Sequence, residues 1–156
     1  MGCTSISPTL FICTSLVVLS FANVSVATPN KDQYELEERC GKDSASFFSI
    51  NFHTSEDTSI SNTSDGQTIN GYRNHYDPIS NKCFMLETTT ILAYRAHPKY
   101  TATQYTLFDL NDHADYGSFY KNGGSASPTE CVVKGKTCTS EVEWDALISP
   151  FMGDAP

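Results

Sequence analysis

The segment from residue 32 to residue 49 places apolar side chains at intervals near the period of an α-helix. These side chains are Tyr34, Leu36, Cys40, Phe47 and Phe48. Gly41 lies inside the segment and weakens helix formation by about 1 kcal/mol relative to alanine. The pattern predicts an amphipathic helix in which residues 36, 40 and 47 share one face, so we expect Cys40 to point into the protein.

Three later segments alternate between apolar and polar residues with the period of two that is typical of β-strands. The strongest alternation runs from residue 82 to residue 94. Its alternating positions are Phe84, Leu86, Thr88, Thr90, Leu92 and Tyr94. Residues 103–110 and 114–121 form the other two segments, and Asn111-Asp112-His113 supplies a turn between them. We therefore predict one strand followed by a β-hairpin.

The last part of the chain contains the clearest helix signal. Ser140 and Glu143 have the spacing of a capping box, in which each side chain binds a backbone N–H at the start of a helix. An apolar stripe at helical spacing follows, formed by Trp144, Leu147, Ile148 and Phe151. These features predict a second amphipathic helix that ends near Gly153.

Residues 54–71 are dominated by Ser, Thr, Asn, Asp and Gly and contain two isolated isoleucines. Because such a composition buries little apolar surface, the segment is predicted to be a flexible surface loop. It includes Asn62-Thr63-Ser64, an acceptor sequence for N-glycosylation that matters only in a eukaryotic host.

Together these elements predict an α+β fold with a small antiparallel sheet of about three strands. The apolar face of the sheet is expected to pack against the N-terminal and C-terminal helices. The expected core residues are Leu36, Phe47, Phe84, Leu86, Leu92, Phe108, Leu110, Trp144, Leu147, Ile148 and Phe151.

Residues 1–27 have the features of a cleavable export signal. They contain no Asp, Glu, Lys or Arg, and residues 10–19 form an apolar run shorter than the roughly 20 residues that span a bilayer. Ser25-Val26-Ala27 offers small residues to signal peptidase, and Ser20-Phe21-Ala22 offers a second cleavage point. A retained anchor is disfavoured by the short length, and a buried helix is the other alternative. We expect a signal peptide at 1–27, one domain at 28–156, and no membrane insertion after cleavage.

Export would place the remaining cysteines in an oxidising compartment. Cys3 and Cys13 lie in the leader, which leaves Cys40, Cys83, Cys131 and Cys138. An even number of cysteines in such a compartment predicts disulfides. The alternative is a zinc site, which is disfavoured because it needs cysteine pairs closer in the sequence and stable thiolates. Among the three pairings that four cysteines allow, we favour Cys40 with Cys83 and Cys131 with Cys138.

The chain is acidic, with 18 Asp and Glu, 10 Lys and Arg, and a formal net charge of -8. All of these charged residues follow Ala27, and the Lys and Arg residues form no cluster. Nucleic acid and anionic membrane surfaces are bound mainly through basic patches, so the composition excludes them as expected partners. A basic protein or a neutral ligand remains as the expected partner.

The densest group of potential metal ligands is residues 109–115, with the sequence Asp-Leu-Asn-Asp-His-Ala-Asp. A calcium loop of the helix-loop-helix type needs Gly where Ala114 stands and a bidentate Glu where Tyr120 stands. We therefore interpret the segment as a polar turn, and we predict no metal site and no cofactor.

No arrangement of nucleophile, base and acid stands out in the sequence. The histidines His53, His75, His97 and His113 are scattered, and there is no Gly-x-Ser-x-Gly motif around a nucleophile. We predict no catalytic and no cofactor-binding residues. The enzymatic alternative is a small secreted hydrolase in which His75 or His113 acts with a nearby carboxylate.

Two short motifs and one helix carry a likeness to other proteins. They are Asn74-His75-Tyr76, Asn81-Lys82-Cys83-Phe84, and the acidic segment from Cys138 to Ile148. The chain resembles small exported bacterial proteins of uncharacterised function, in which a Cys-Gly helix, such a strand entry and such a C-terminal helix occur in this order. The resemblance covers most of residues 28–156 except 54–71. It implies no activity or site residues, and it implies a Gram-negative periplasm or the cell exterior.

The predicted function is that of an exported, non-catalytic binding or accessory protein of the periplasm or cell exterior. Such a protein would present a sheet edge or loops to another protein, and its acidity favours a basic partner. The alternatives are the small secreted hydrolase and a structural protein of the envelope. The sequence does not define the oligomeric state.

Overall fold

The computed structural model describes residues 31–153, which form two α-helices and seven β-strands. The predicted leader and its cleavage points lie outside the described residues. The first helix, α1, is Lys31–Phe52, and the second, α2, is Glu141–Met152. The strands are β1 (Thr58–Asn62), β2 (Gln67–Asp77), β3 (Lys82–Ala93), β4 (Tyr100–Asp109), β5 (Ala114–Asn122), β6 (Glu130–Val133) and β7 (Lys136–Thr137).

The strands form one antiparallel sheet in which each strand pairs with the next along the chain, from β1 at one edge to β7 at the other. The predicted sheet of about three strands is therefore wrong, because the sheet has seven strands. The predicted strands correspond to β3, β4 and β5, and the last two form the predicted hairpin. The pattern misses β6 and β7 because strands of four and two residues are too short to show alternation.

α1 and α2 lie on opposite faces of the sheet. Phe84 and Met85 are neighbours in β3, so their side chains point to opposite faces. The ring of Phe84 lies 5.2 Å from that of Phe151 in α2. Met85 pairs with Phe108, whose ring lies 5.1 Å from that of Phe47 in α1. The prediction that both helices cover one apolar face is therefore wrong.

The main core lies between the sheet and α2. Its centre is Trp144, which is 0% exposed and whose ring lies 5.6 Å from that of Phe119. The predicted core residues that are buried are Phe84, Leu86, Trp144 and Ile148. The predicted core residues that are only partly buried are Leu36, Phe47, Leu92, Phe108, Leu110, Leu147 and Phe151. The pattern does not predict the buried residues Phe48, Met85, Leu107 and Phe119.

The predicted start of the C-terminal helix is confirmed in a modified form. The hydroxyl of Ser140 accepts a hydrogen bond from the backbone N–H of Glu143 at 3.2 Å, as in a capping box. The carboxylate of Glu143 reaches one residue further back, where it accepts from the backbone N–H of Thr139 at 2.7 Å. Gly153 ends the helix at φ 67°, a conformation that favours glycine.

The prediction of a surface loop at 54–71 is wrong, because the segment contains β1 and the first half of β2. The two strands join through a turn in which the N–H of Thr63 donates to the carbonyl of Gly66 at 2.9 Å. A side chain at Gly66 would place its Cβ 1.8 Å from the carbonyl oxygen of Leu92, so glycine is required there. Pairing with β2 orders a strand whose own side chains bury little surface.

Both predicted disulfides are confirmed. Cys40 in α1 bonds Cys83 at the start of β3, and the two residues are 2% and 6% exposed. Cys131 in β6 bonds Cys138 just before α2. Such bonds are consistent with an oxidising location. Within residues 31–153, no helix combines the length and the apolar character that crossing a membrane requires.

Candidate functional site

The acidic turn at residues 109–115 is held by a lysine from the neighbouring strand. Asp109 is fully buried and accepts hydrogen bonds from the backbone N–H groups of Asn111, at 3.0 Å, and Asp112, at 3.2 Å. The ammonium group of Lys82 contacts the carboxylates of Asp109 and Asp112 and donates to the hydroxyl of Tyr116 at 2.9 Å. The interpretation of this segment as a polar turn is confirmed, since its oxygens bind the backbone and Lys82.

The charges of this cluster stabilise each other. Hydrogen bonds to Asp109, Asp112 and Tyr116 raise the pKa of Lys82 above its ordinary value. Burial alone would raise the pKa of Asp109, but the hydrogen bonds from Lys82 and the backbone N–H of Asp112 outweigh it and lower that pKa. Both groups are therefore charged at neutral pH, and the cluster joins β3 to the β4–β5 hairpin. Within residues 31–153 no group of three or more His, Cys, Asp or Glu is arranged to hold a metal ion.

Among the described residues, neither His75 nor His113 forms a hydrogen bond with a carboxylate or a serine hydroxyl. Hydrogen bonds from Ser80, together with the nearby charge of His75, lower the pKa of Asp77. Nδ1 of His113 lies 2.8 Å from the backbone carbonyl oxygen of Leu110. The ring of His75 packs against Gly153 at the end of α2, where an added Cβ would lie 2.4 Å from a ring carbon. His53 and His97 are exposed. In the described part of the chain no histidine ring forms a hydrogen bond with Asp, Glu or Ser.

Glu87 is a partly buried carboxylate on the face of the sheet that α1 covers. Burial raises its pKa and outweighs the opposing effect of the Thr89 hydroxyl, which lies 3.5 Å from the carboxylate. Across the ladder, Glu87 pairs with Tyr72 on one side and Thr106 on the other. No Lys, Arg or His within residues 31–153 forms an ion pair with it.

An open groove of about 460 Å³ lies at the end of the sheet where β3 and β4 are joined. It is lined by Leu92, Tyr94, Lys99, Tyr100, Thr101, Gly123 and Gly124. Tyr94 and Tyr100 are each 45% exposed, and the guanidinium of Arg95 lies 5.4 Å from the ring centre of Tyr94. The groove is thus apolar with two basic side chains nearby, which makes it a poor surface for a basic partner.

An exposed acidic surface surrounds β1. Residues 43–72 contain no Lys or Arg. Their acidic side chains are Asp43, Glu56, Asp57 and Asp65, and all four are exposed. Asp43 belongs to α1, where it lies near Leu110 and His113, so only the other three surround β1. Glu56 and Asp57 precede β1, and Asp65 lies in the turn that follows it. We call β1 with Glu56, Asp57 and Asp65 the acidic edge.

Two contacts hold the acidic edge in place. The carboxylate of Asp57 accepts a hydrogen bond from the hydroxyl of Tyr72 at 3.0 Å, and burial of that hydroxyl together with Asp57 raises the pKa of Tyr72. The backbone carbonyl of Asp65 accepts from the N–H of Arg95 at 2.7 Å. The Asp57 carboxylate and the backbone at Asp65 are therefore held at the two ends of β1, and all three acidic side chains remain exposed to solvent.

The sequence reasoning misses the acidic edge because it treats residues 54–71 as a loop. A signal for the strand is present: Thr58 to Asn62 contain β-branched residues and lead into a Ser-Asp-Gly turn. Comparisons of the chain with families of known proteins, with curated proteins and with solved structures found no match.

Proposed function

We propose that this protein is an exported, non-catalytic binding protein of the periplasm or cell exterior, and that it recognises a basic protein through the acidic edge. The observation that carries the proposal is the group of three exposed carboxylates around β1, those of Glu56, Asp57 and Asp65, in a stretch, residues 44–72, that contains no Lys or Arg. The two disulfides and the features of residues 1–27 support export. Kinship with small exported bacterial proteins remains part of the proposal, and it rests on the motifs named above.

Electrostatic recognition of this kind has a characteristic dependence on salt. Charges at the rim of an interface mainly speed association, and their effect fades as the Debye length shrinks from about 10 Å at 0.1 M salt to about 3 Å at 1 M. The acidic side chains here are exposed, so a partner bound through them is expected to dissociate as salt increases. A partner bound through the groove near Tyr94 would dissociate much less.

Affinity capture tests the proposal. The purified chain is immobilised and exposed at low salt to proteins from outside its producing cell, and bound proteins are identified and titrated. We expect saturable binding of a protein with a net positive charge. That binding should weaken by at least about tenfold, or 1.4 kcal/mol, in the variant Glu56→Gln/Asp65→Asn.

The matched control is Asp32→Asn/Asp115→Asn, which removes the same charge from exposed positions outside the acidic edge. It should change the affinity by less than about twofold, since isolated exposed charges contribute little. An absence of saturable binding at low salt would contradict the proposal. Equal weakening by both variants would also contradict it, because net charge alone would then explain the binding.

A further inference from the structure

The two edges of the sheet are built differently. The far edge, β7, has two residues and includes Lys136, and the disulfide at Cys138 follows directly. Short length and lysine are devices by which proteins keep a sheet edge from pairing with another chain. β1 has five residues, with no Lys, Arg or Pro among them. The sheet is therefore protected at β7 and open to pairing at β1.

The outer side of β1 has a regular row of unpaired backbone groups. All five residues of β1 pair with β2 in an unbroken register from Thr58 with Gly71 to Asn62 with Gln67. Within residues 31–153 no strand lies beyond β1. Apart from the ladder to β2, no backbone hydrogen bond among those residues involves Thr58–Asn62. The outer edge is thus regular enough to accept a further strand.

The turn defines which backbone groups face outward. Thr63 and Gly66 form a hydrogen-bonded pair, and bonded and non-bonded pairs alternate along an antiparallel ladder. The pairs of Ser61 and Ser59 are therefore bonded to β2. Those of Asn62, Ile60 and Thr58 are non-bonded, so the N–H and C=O groups of these three residues point away from β2. They present three donors and three acceptors at the spacing that an incoming strand requires.

The side chains of β1 favour an extended segment with apolar and basic residues. Ile60, at the centre of the strand, is 59% exposed and pairs with Ile69 on β2, so it offers an apolar contact to a residue placed opposite it. The carboxylates of Glu56, Asp57 and Asp65 lie at the two ends. The nearby guanidinium of Arg95 lies over the ring of Tyr94 and forms no ion pair with them among the described residues.

We propose that the outer edge of β1 receives an extended, basic segment of the partner protein, which adds a strand to the sheet. This inference rests on the proposed function and specifies how the acidic edge acts. Backbone hydrogen bonds to Thr58, Ile60 and Asn62 supply affinity, as in other cases of strand addition. Specificity comes from cationic side chains at the ends of the segment and an apolar one opposite Ile60.

Amide hydrogen exchange with a synthetic probe tests the inference. The probe is a peptide of alternating Thr and Ile with lysines at both ends, and the comparison peptide carries glutamates instead. We expect the basic peptide to slow exchange of the outward-facing amides of Thr58, Ile60 and Asn62 by at least about tenfold, as new backbone hydrogen bonds form. The acidic peptide should leave them unchanged.

Variants at Ile60 separate strand addition from simple charge attraction. Ile60→Pro removes the outward N–H without removing a bond to β2, and proline is tolerated at such edge positions. It should weaken peptide binding by about tenfold or more, while Ile60→Val, which keeps the N–H, should weaken it by less than about threefold. If Ile60→Pro does not fold, Thr58→Pro serves instead, since it removes another outward N–H at the first residue of the strand, and Thr58→Val, which keeps that N–H, is its control.

Each outcome decides between the inference and the proposed function. Peptide binding with slowed exchange elsewhere, such as on α1, would overturn strand addition and leave recognition of a basic partner intact. Protection of β1 that rises with protein concentration without peptide would mean that a second copy occupies the edge, which also overturns the inference. Absence of protection at saturating peptide would do the same, and absence of any basic partner in the capture experiment would remove the proposed function itself.

Discussion

Replacement of both Cys40 and Cys83 by alanine is expected to lower the free energy of unfolding by about 4 kcal/mol. The bond joins residues 43 positions apart, and closing a loop of that length restricts the unfolded chain by about this amount. Since domains of this size are stable by roughly 5–15 kcal/mol, the variant should be close to unfolding at physiological temperature. Urea denaturation followed by Trp144 fluorescence measures the change.

The second disulfide provides the control for this prediction. Cys131 and Cys138 are seven positions apart, so their replacement by alanine should cost only about 2.4 kcal/mol on the same reasoning. The long-range bond also attaches α1 to the sheet, where both of its cysteines are buried. The prediction would be contradicted if both variants lost the same free energy of unfolding. It would also be contradicted if the variant without Cys40 and Cys83 were as stable as the natural chain.

Asp109→Asn is expected to lower the free energy of unfolding at pH 7 by about 2 kcal/mol. Hydrogen bonds to a charged group contribute about 1.5–3 kcal/mol, and the lower part of that range applies because Asp112 still partners Lys82 in a partly exposed position. The loss should be smaller for Asp112→Asn, since that side chain is 60% exposed. Urea denaturation of both variants at pH 7 measures the difference.

The stabilisation from Asp109 should depend on pH with a defined sign. Its pKa is lower in the folded protein than in the unfolded chain, so the folded state holds the proton less tightly. The contribution is therefore complete above the unfolded pKa and disappears as the pH falls through the folded pKa. The natural chain and Asp109→Asn should converge in stability under acid conditions. A constant difference between them from pH 7 to strongly acid pH would show that Asp109 acts through packing and not through charge.

The helices and the central strands were predictable because their buried side chains recur at regular intervals along the chain. Trp144 and Ile148 repeat with the period of a helix, and Phe84 and Leu86 repeat with the period of a strand, since each set faces the same core. The disulfide pairing was favoured because Cys131 and Cys138 are close enough in the sequence for a local bond, which leaves Cys40, on the inward face of a helix, to pair with Cys83. Each of these features is local in the chain or depends on a single long-range bond.

The outer strands were not predictable by the same reasoning, because neighbouring strands order them. β1 has one partly buried residue, Ser59, and is ordered through its backbone pairing to β2. β3 buries four consecutive residues, Cys83 to Leu86, because helices cover both faces of the sheet there. An alternation with a period of two predicts one buried face of the sheet. It therefore does not predict that Met85 is buried, and it places both helices on the same face.

Only the sign of the charge at the candidate site was predictable from the sequence. Net charge favoured a basic partner, and the composition of residues 54–71 placed several carboxylates there without defining their positions. The acidic edge depends on β1 forming, on the turn at Gly66 and on the hydrogen bond between Tyr72 and Asp57. These contacts join residues distant in the sequence, so no local pattern reveals them.

The central claim is that the chain is exported and is held together by two disulfides. Peptide mapping by mass spectrometry tests this claim most directly, on protein that is purified without reductant from outside the producing cell. We expect a first peptide that begins at Thr28 and two cross-linked peptide pairs, Cys40 with Cys83 and Cys131 with Cys138. A chain found only inside the cell, with residues 1–27 still attached and four free thiols, would contradict the account.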